Sequence, residues 1–322
     1  MLQAAALALV GLILLWLAAD HFVIGSARLA RLLRLSAVIV GIVVMGFGTS
    51  APELFVSGLA ALEGSTELSV GNILGSNVAN LALVLGTAAL LHRVRVTSRV
   101  LRFEVPLSAA SATGFACMVL VGRLYRIEGV ALLACFAGAM WLLVRMVKRD
   151  RDDEQRLIAE VEEETDHQLS ESPVRRAHEL VRIVLGLAGV LVGAQLLVTG
   201  ATRIAEQLGI AEGIIGVTLV AVGTSLPELV TAVASSRRGH DDLIVGNVLG
   251  SNLVNSLAVG GVVALAGPGA FADPEVVRRA AIASIVVVVC SWLVMGRRLL
   301  VDRVEGSLLL TLYAAMVPVL LV

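Results

Sequence analysis

Two glutamates, Glu53 and Glu228, stand in the middle of long apolar runs, each at the end of the same short string: Gly48-Thr49-Ser50-Ala51-Pro52-Glu53 and Gly223-Thr224-Ser225-Leu226-Pro227-Glu228. An unpaired carboxylate at the centre of a membrane span costs about 2.5 to 3.5 kcal/mol on insertion scales, so each acid needs a partner. No Lys or Arg lies in the interior of any predicted span, away from its ends, which leaves a bound cation as the partner the sequence predicts. A proline within a helix removes one backbone hydrogen bond and crowds the carbonyl four residues earlier. Carbonyls around Gly48 and Gly223, or one turn before them, are therefore expected to turn aside and become cation ligands. Spacings of three and four place Thr49 and Ser50 on the face of Glu53, and Thr224 and Ser225 on the face of Glu228. The alternative for each hydroxyl pair is that it only satisfies backbone opened by the kink.

A second polar set follows each acid. Asn72, Ser76 and Asn80, and again Asn247, Ser251 and Asn255, recur every four residues and draw one polar stripe along an otherwise apolar helix. The stripe is expected to line a cavity. Gly71 and Gly75, and Gly246 and Gly250, form Gly-x-x-x-Gly on the other side, a pattern that lets a second backbone approach closely. Asn77 and Asn252 lie off the stripe and read as structural. Carboxylates, hydroxyls, amide oxygens and freed carbonyls, with no thiolate or imidazole among them, suit a hard cation rather than copper or zinc. A pliable oxygen cage favours Ca2+ over the strictly octahedral Mg2+. Two negative charges balance one Ca2+, and the same oxygens could instead hold several Na+, so competition at one site would give exchange.

The elements that must position these residues follow from composition. Of 322 residues, 57% are hydrophobic and 16% charged, and the mean hydropathy is +0.90, far from the balance of a soluble domain. A net charge of -1 leaves no basic footprint for nucleic acid. Spans are expected near 3–24, 36–61, 69–91, 102–121, 127–147, 180–202, 210–236, 242–266, 277–296 and 304–321. The first of these lacks the positively charged start of a cleaved signal and is read as a transmembrane helix. Cys117, Cys135 and Cys290 lie in apolar stretches without metal-ligand spacing and are expected to be buried free thiols. The polar segment 148–178 reads as a linker between a first unit, 1–147, and a second, 179–322. Its acidic group, Glu160, Glu162, Glu163, Glu164 and Asp166, has no EF-hand spacing and reads as solvated. Asp20, His21 and Glu104 are expected to anchor span ends.

Residues 41–80 align with 216–255 without a gap at an offset of 175, with 17 identities in 40 positions. Five spans per half is an odd number, so the second copy must enter the membrane from the opposite side. The expected fold is therefore all-α, with ten transmembrane helices as two inverted-topology five-helix repeats, an arrangement that places a transporter's site near the midplane where the repeats meet. Lys and Arg divide 20 to 5 between the two sides. That asymmetry puts both termini outside and the linker in the cytoplasm of a multi-pass cell-membrane protein.

The paired Gly-Thr-Ser-x-Pro-Glu and Gly-Asn-x-Leu-Gly-Ser-Asn motifs in ten spans resemble the Ca2+/cation antiporter superfamily, specifically prokaryotic sodium/calcium exchangers. The resemblance covers nearly the whole chain. It implies Ca2+ and Na+ sites clustered at Glu53 and Glu228 and lined by Thr49, Ser50, Ser76, Asn80, Thr224, Ser225, Ser251 and Asn255. It also implies alternating access by sliding of the first and sixth spans against the other eight. Some relatives carry Asp where Asn255 stands, so this chain lacks a third titratable ligand at that position. The function expected is Ca2+ export against Na+ influx, with no enzymatic step and no cofactor beyond the transported ions. Ca2+/H+ exchange and K+-dependent Na+/Ca2+ exchange are the alternatives, and a cation channel is a third.

Overall fold

The structure, a computed structural model, describes residues 1–33, 35–161, 173–208 and 221–321. In chain order the helices are α1 (Leu2–Leu32), α2 (Ala37–Thr49), α3 (Ala51–Leu62), α4 (Thr66–Leu91), α5 (Glu104–Val119), α6 (Arg126–Val161), α7 (Pro173–Gln207), α8 (Ala221–Thr224), α9 (Leu226–Arg237), α10 (Asp241–Ala266), α11 (Pro274–Arg298) and α12 (Arg303–Leu321), with a single turn at Ser98–Arg102. Among the described residues six of these, α1, α4, α6, α7, α10 and α11, contain stretches long and apolar enough to cross a membrane, and α2 with α3, bent by 44°, makes a seventh. The chain is an all-α membrane protein. Helices stand at every place where a span was expected, although much of the 210–236 span, like Gly216, lies outside the described residues.

Burial orders these helices from the inside out. The apolar stretches of α4 and α10 are 78% and 89% buried, whereas those of α1 and α7 are each 28% buried. So α4 and α10 form the centre, and α1 and α7 lie at the periphery. That outer pair packs backbone to backbone in antiparallel register. A Cβ added at Gly186 would come within 2.7 Å of Phe22 N, and one at Gly193 within 2.6 Å of Leu15 N. Glycine is required wherever two helix backbones approach this closely. The same device joins the two halves at the centre, where a Cβ on Gly46 would meet Gly250 C at 2.7 Å and one on Gly41 would meet Gly246 Cα at 2.8 Å. The expected packing role of Gly246 and Gly250 is thus observed, with α2 as their partner.

Two short antiparallel ladders tie the loops. β1 (Val94–Arg95) pairs with β4 (Leu300–Val301), and β2 (Arg123–Leu124) pairs with β3 (Gly269–Ala270). β1 and β3 occupy positions 175 apart in sequence, so the first strand of each half pairs with the second strand of the other.

Helix α6 runs through 147/148 and α7 through 178/179, so both ends of the polar segment are helical. Lys, Arg, Glu, Gln, Leu and Ala dominate the start of the polar segment, and these residues propagate a helix in water as readily as in lipid. Glu160 falls at the end of α6; Arg34 and the remaining acidic residues, Glu162, Glu163, Glu164 and Asp166, lie outside the described residues. Asp20 does not close α1, which continues for three more turns; it pairs with Arg238 at 2.9 Å. Cys117 and Cys135 are exposed and Cys290 is half-buried, not interior. An apolar helix in a membrane turns one side to lipid, so hydropathy alone does not place a thiol inside.

Candidate functional site

The helix carrying Glu53 is interrupted at Ser50 (φ -79°, ψ 7°), and the one carrying Glu228 at Ser225 (φ -92°, ψ 6°). Pro52 and Pro227 then fall in the first turn of α3 and α9, where a missing N–H costs no hydrogen bond. The prolines therefore do not bend a continuous helix; they begin a new one. Of the carbonyls one turn earlier, Met45 O accepts from Thr49 Oγ1 at 2.9 Å, and Gly46 O accepts from Ser50 N at 3.3 Å with Ser251 Oγ at 3.4 Å. Of the Thr49–Ser50 pair, Thr49 Oγ1 thus serves backbone beside the break, as one reading of the sequence allowed, whereas Ser50 Oγ bonds Glu228.

The breaks turn each motif toward the other half of the chain. Ser50 Oγ donates to Glu228 Oε1 at 3.3 Å, not to the glutamate on its own helix. Ser251 Oγ lies 3.4 Å from that same Oε1, and at the position 175 residues earlier Ser76 Oγ lies 3.5 Å from Glu53 Oε1. Ser225 Oγ reaches Ser76 Oγ at 3.5 Å. Thr49 Oγ1 stands 3.3 Å from Asn247 Oδ1, and its counterpart Thr224 Oγ1 stands 3.5 Å from Asn72 Oδ1. Every residue of the expected ligand set is buried, with Glu53, Glu228, Asn80 and Asn255 at 0% exposure. No ion pair found among the described residues involves either glutamate.

Asn80 and Asn255 sit in turns wider than α-helical, Ala79–Val84 and Val254–Val259, which shift the register of the stripe by part of a turn. Such π-helical turns are recurrent at functional sites because they aim a side chain that a regular helix would not. Within the expected ligand set four oxygens are buried and without a hydrogen-bond partner among the described residues: Glu53 Oε2, Glu228 Oε2, Asn80 Oδ1 and Asn255 Oδ1. A buried acceptor normally finds a donor, and leaving one unmet costs about 1 to 3 kcal/mol, more for a charged group. Two of these oxygens follow the helix breaks and two lie in the wide turns, neither glutamate is ion-paired among the described residues, and carboxylate and amide oxygens are of the chemistry a hard metal ion takes.

Two residues that the sequence reading passed over support the set. Asn72 Nδ2 donates to Ser57 Oγ at 2.9 Å, and Asn247 Nδ2 donates to Thr231 Oγ1 at 3.2 Å. Each amide is held with its Oδ1 toward the threonine of the opposite half. A hydroxyl three or four residues after each glutamate, in helices otherwise apolar there, was the available signal. Asn77 and Asn252, read as structural, do hydrogen-bond between α4 and α10: Asn80 Nδ2 donates to Asn252 Oδ1 at 3.1 Å and Asn77 Nδ2 to Ser256 Oγ at 2.9 Å.

Comparison with known proteins gives consistent results. The family model described as sodium/calcium exchanger protein matches residues 3–145 and 178–322. CaxA of Alkalimonas amylolytica is 38% identical over 96% of both chains. The sodium/calcium exchanger MaX1 of Methanosarcina acetivorans is 28% identical over 97% of both. Among solved structures, the sodium-calcium exchanger NCX_Mj soaked with Na+ in the absence of Ca2+ superposes with a TM-score of 0.84 at 30% identity, covering 98% of each chain.

Proposed function

The chain belongs to the sodium/calcium exchanger protein family, and from that premise we propose that it is a secondary active antiporter exchanging Ca2+ for Na+ across the cell membrane, with the cations held between Glu53 and Glu228. The observation that carries this reading is the set of four buried, unpartnered oxygens on Glu53, Glu228, Asn80 and Asn255. Two carboxylates neutralise one Ca2+, and amide oxygens with hydroxyls drawn from Thr49, Ser50, Ser76, Thr224, Ser225 and Ser251 can supply the rest of the about six to eight hard oxygen ligands that Ca2+ takes. Na+ competes for the same oxygens. The related proteins named as sodium/calcium exchangers support these two ions.

The proposed frame is ten membrane helices in two inverted repeats of five. The exchanged partners of the two short ladders support it, as do hydrogen bonds that recur at an offset of 175, such as Ser76 to Glu53 and Ser251 to Glu228. In this frame both termini are outside and the segment 148–178 is cytoplasmic. The peripheral α1 and α7 slide as a pair to expose the site alternately to each side. No bond of a substrate is made or broken, so the protein acts as a transporter, not an enzyme. Ca2+ uptake by proteoliposomes loaded in turn with Na+, with K+ and with a pH gradient tests the counter-ion: the proposal expects uptake only with internal Na+. Uptake following the pH gradient in Na+-free buffer would assign Ca2+/H+ exchange instead, and uptake needing K+ together with Na+ the potassium-dependent form.

A further inference from the structure

The two halves differ at one hydrogen bond beside the site. Asn80 Nδ2 donates to Asn252 Oδ1 at 3.1 Å, which fixes the Asn80 amide and leaves its Oδ1 buried and without a hydrogen-bond partner among the described residues. The counterpart of this bond, 175 residues on, would run from Asn255 Nδ2 to Asn77 Oδ1. Both of these atoms are buried and without a partner among the described residues. Asn77 instead turns its Nδ2 to Ser256 Oγ at 2.9 Å. Ser256 corresponds to Leu81 in the first half, which has no hydroxyl to offer. With its Nδ2 on Ser256 and its Oδ1 unmet, Asn77 does not take up Asn255, and the Asn255 amide keeps both of its polar atoms unengaged, inside a wide turn.

We infer that Asn77 and Ser256 are positioning residues that make Asn255 the compliant ligand of the cation site, in contrast to the clamped Asn80. The inference rests on the proposed cation site. A ligand fixed in advance is not ordered again at each binding event, and so binds tightly and releases slowly; a free one gives up affinity for faster release. An antiporter must release its ion on every cycle. The loose arm lets one amide turn its Oδ1 inward when a cation arrives and withdraw when it leaves, while Asn80 holds the rest of the geometry. The difference between the halves thus sets affinity and turnover in opposite directions.

Ser256→Ala removes the hydroxyl that fixes the Asn77 amide and frees Asn77 to turn its Oδ1 to Asn255 Nδ2, as Asn252 takes up Asn80. In Na+-loaded proteoliposomes this variant is expected to lower the Ca2+ concentration for half-maximal uptake by roughly 3- to 10-fold, the range of one neutral hydrogen bond, and to lower maximal uptake as well. Adding Asn77→Ala removes the new clamp and is expected to return both parameters toward wild type. A half-maximal concentration unchanged by Ser256→Ala, or one that stays low in the double variant, overturns the inference while leaving Na+/Ca2+ exchange standing. Packing damage alone would weaken binding or reduce uptake without tightening it, and so counts against the inference too. Wild-type protein that takes up no Ca2+ under any gradient would overturn the proposed function itself, and the inference with it.

Discussion

Ser50 Oγ donates to Glu228 Oε1 over 3.3 Å, although the two residues lie 178 positions apart in the sequence. The hydroxyl that precedes one glutamate thus holds the other, because the helix breaks at Ser50 and Ser225 turn each motif across the centre of the molecule. Neither half can form the site alone. A change at Ser50 is therefore a change in the ligand shell of Glu228.

Asn255→Asp tests what the amide contributes. It places a third carboxylate among buried oxygens that already include two, and like charges so close cannot all ionise at neutral pH. The pH dependence of Ca2+ uptake should change in the variant, with an added loss as pH falls and the added acid takes up a proton. A pH profile identical to wild type would mean that position 255 does not sense the bound ion.

Gly48 and Gly223 test the sliding surface. A Cβ at Gly48 would lie 2.8 Å from Leu187 Cδ2, and one at Gly223 would lie 2.5 Å from Val198 Cγ2, so α7 rests on a smooth glycine just ahead of each Thr-Ser pair. Gly223→Val puts a ridge beneath α7. Overpacking of this kind typically costs about 1 to 3 kcal/mol, which here falls on the arrangement in which α7 covers Gly223. Maximal uptake should drop about tenfold or more on the same scale, with equilibrium Ca2+ binding to the purified protein little changed. Binding lost in parallel with uptake would place the defect in the site instead of in the motion.

The start of α12 offers a pH-dependent stability test away from the site. Asp302 Oδ1 accepts from the N–H groups of Val304 at 2.9 Å and Glu305 at 3.2 Å, and Glu305 Oε2 accepts from Asp302 N at 3.1 Å, a reciprocal cap. The Glu305 amide first, then the Val304 amide and the charges of Arg298 and Arg93, hold the Asp302 carboxyl below its usual value. A carboxyl depressed in the folded state adds stability above its unfolded pKa of about 3.9, and that contribution is lost as pH falls through the lower folded value. The melting temperature of Asp302→Ala should therefore lie below wild type at neutral pH, with the gap closing toward acid. A gap independent of pH would assign the effect to packing.

Orientation is tested in the segment between α6 and α7. A single cysteine at Ser170, in a background lacking the three native cysteines, should react with a membrane-impermeant thiol reagent only in inside-out vesicles. Labelling in right-side-out cells would reverse the proposed topology. The prediction rests on the 20 to 5 division of basic residues.

Much of this site was legible before any coordinates. The repeat at an offset of 175 exposed the pairing of Glu53 with Glu228, because a duplicated buried acid is too costly to be ornamental. The positions of the apolar helices were legible because hydropathy measures what the bilayer selects. Three things were not. The wide turns at Asn80 and Asn255 depend on packing between α4 and α10, which no local propensity records. The crossed contact of Ser50 with Glu228 depends on a helix break and on packing between the halves, which spacing along one helix does not record. The exposure of Cys117 and Cys135 depends on which side of an apolar helix faces lipid, and composition does not distinguish that side from the core.

The central claim is that Glu53 and Glu228 together hold the transported ion. Its most direct test is radiolabelled Ca2+ uptake by Na+-loaded proteoliposomes containing wild type, Glu53→Gln or Glu228→Gln, each checked for a monodisperse, folded protein. Losing a charged ligand worth about 3 kcal/mol weakens binding roughly 100-fold, so each variant should take up almost no Ca2+ at concentrations that saturate wild type. Near-normal, Na+-dependent uptake by either variant would contradict the account.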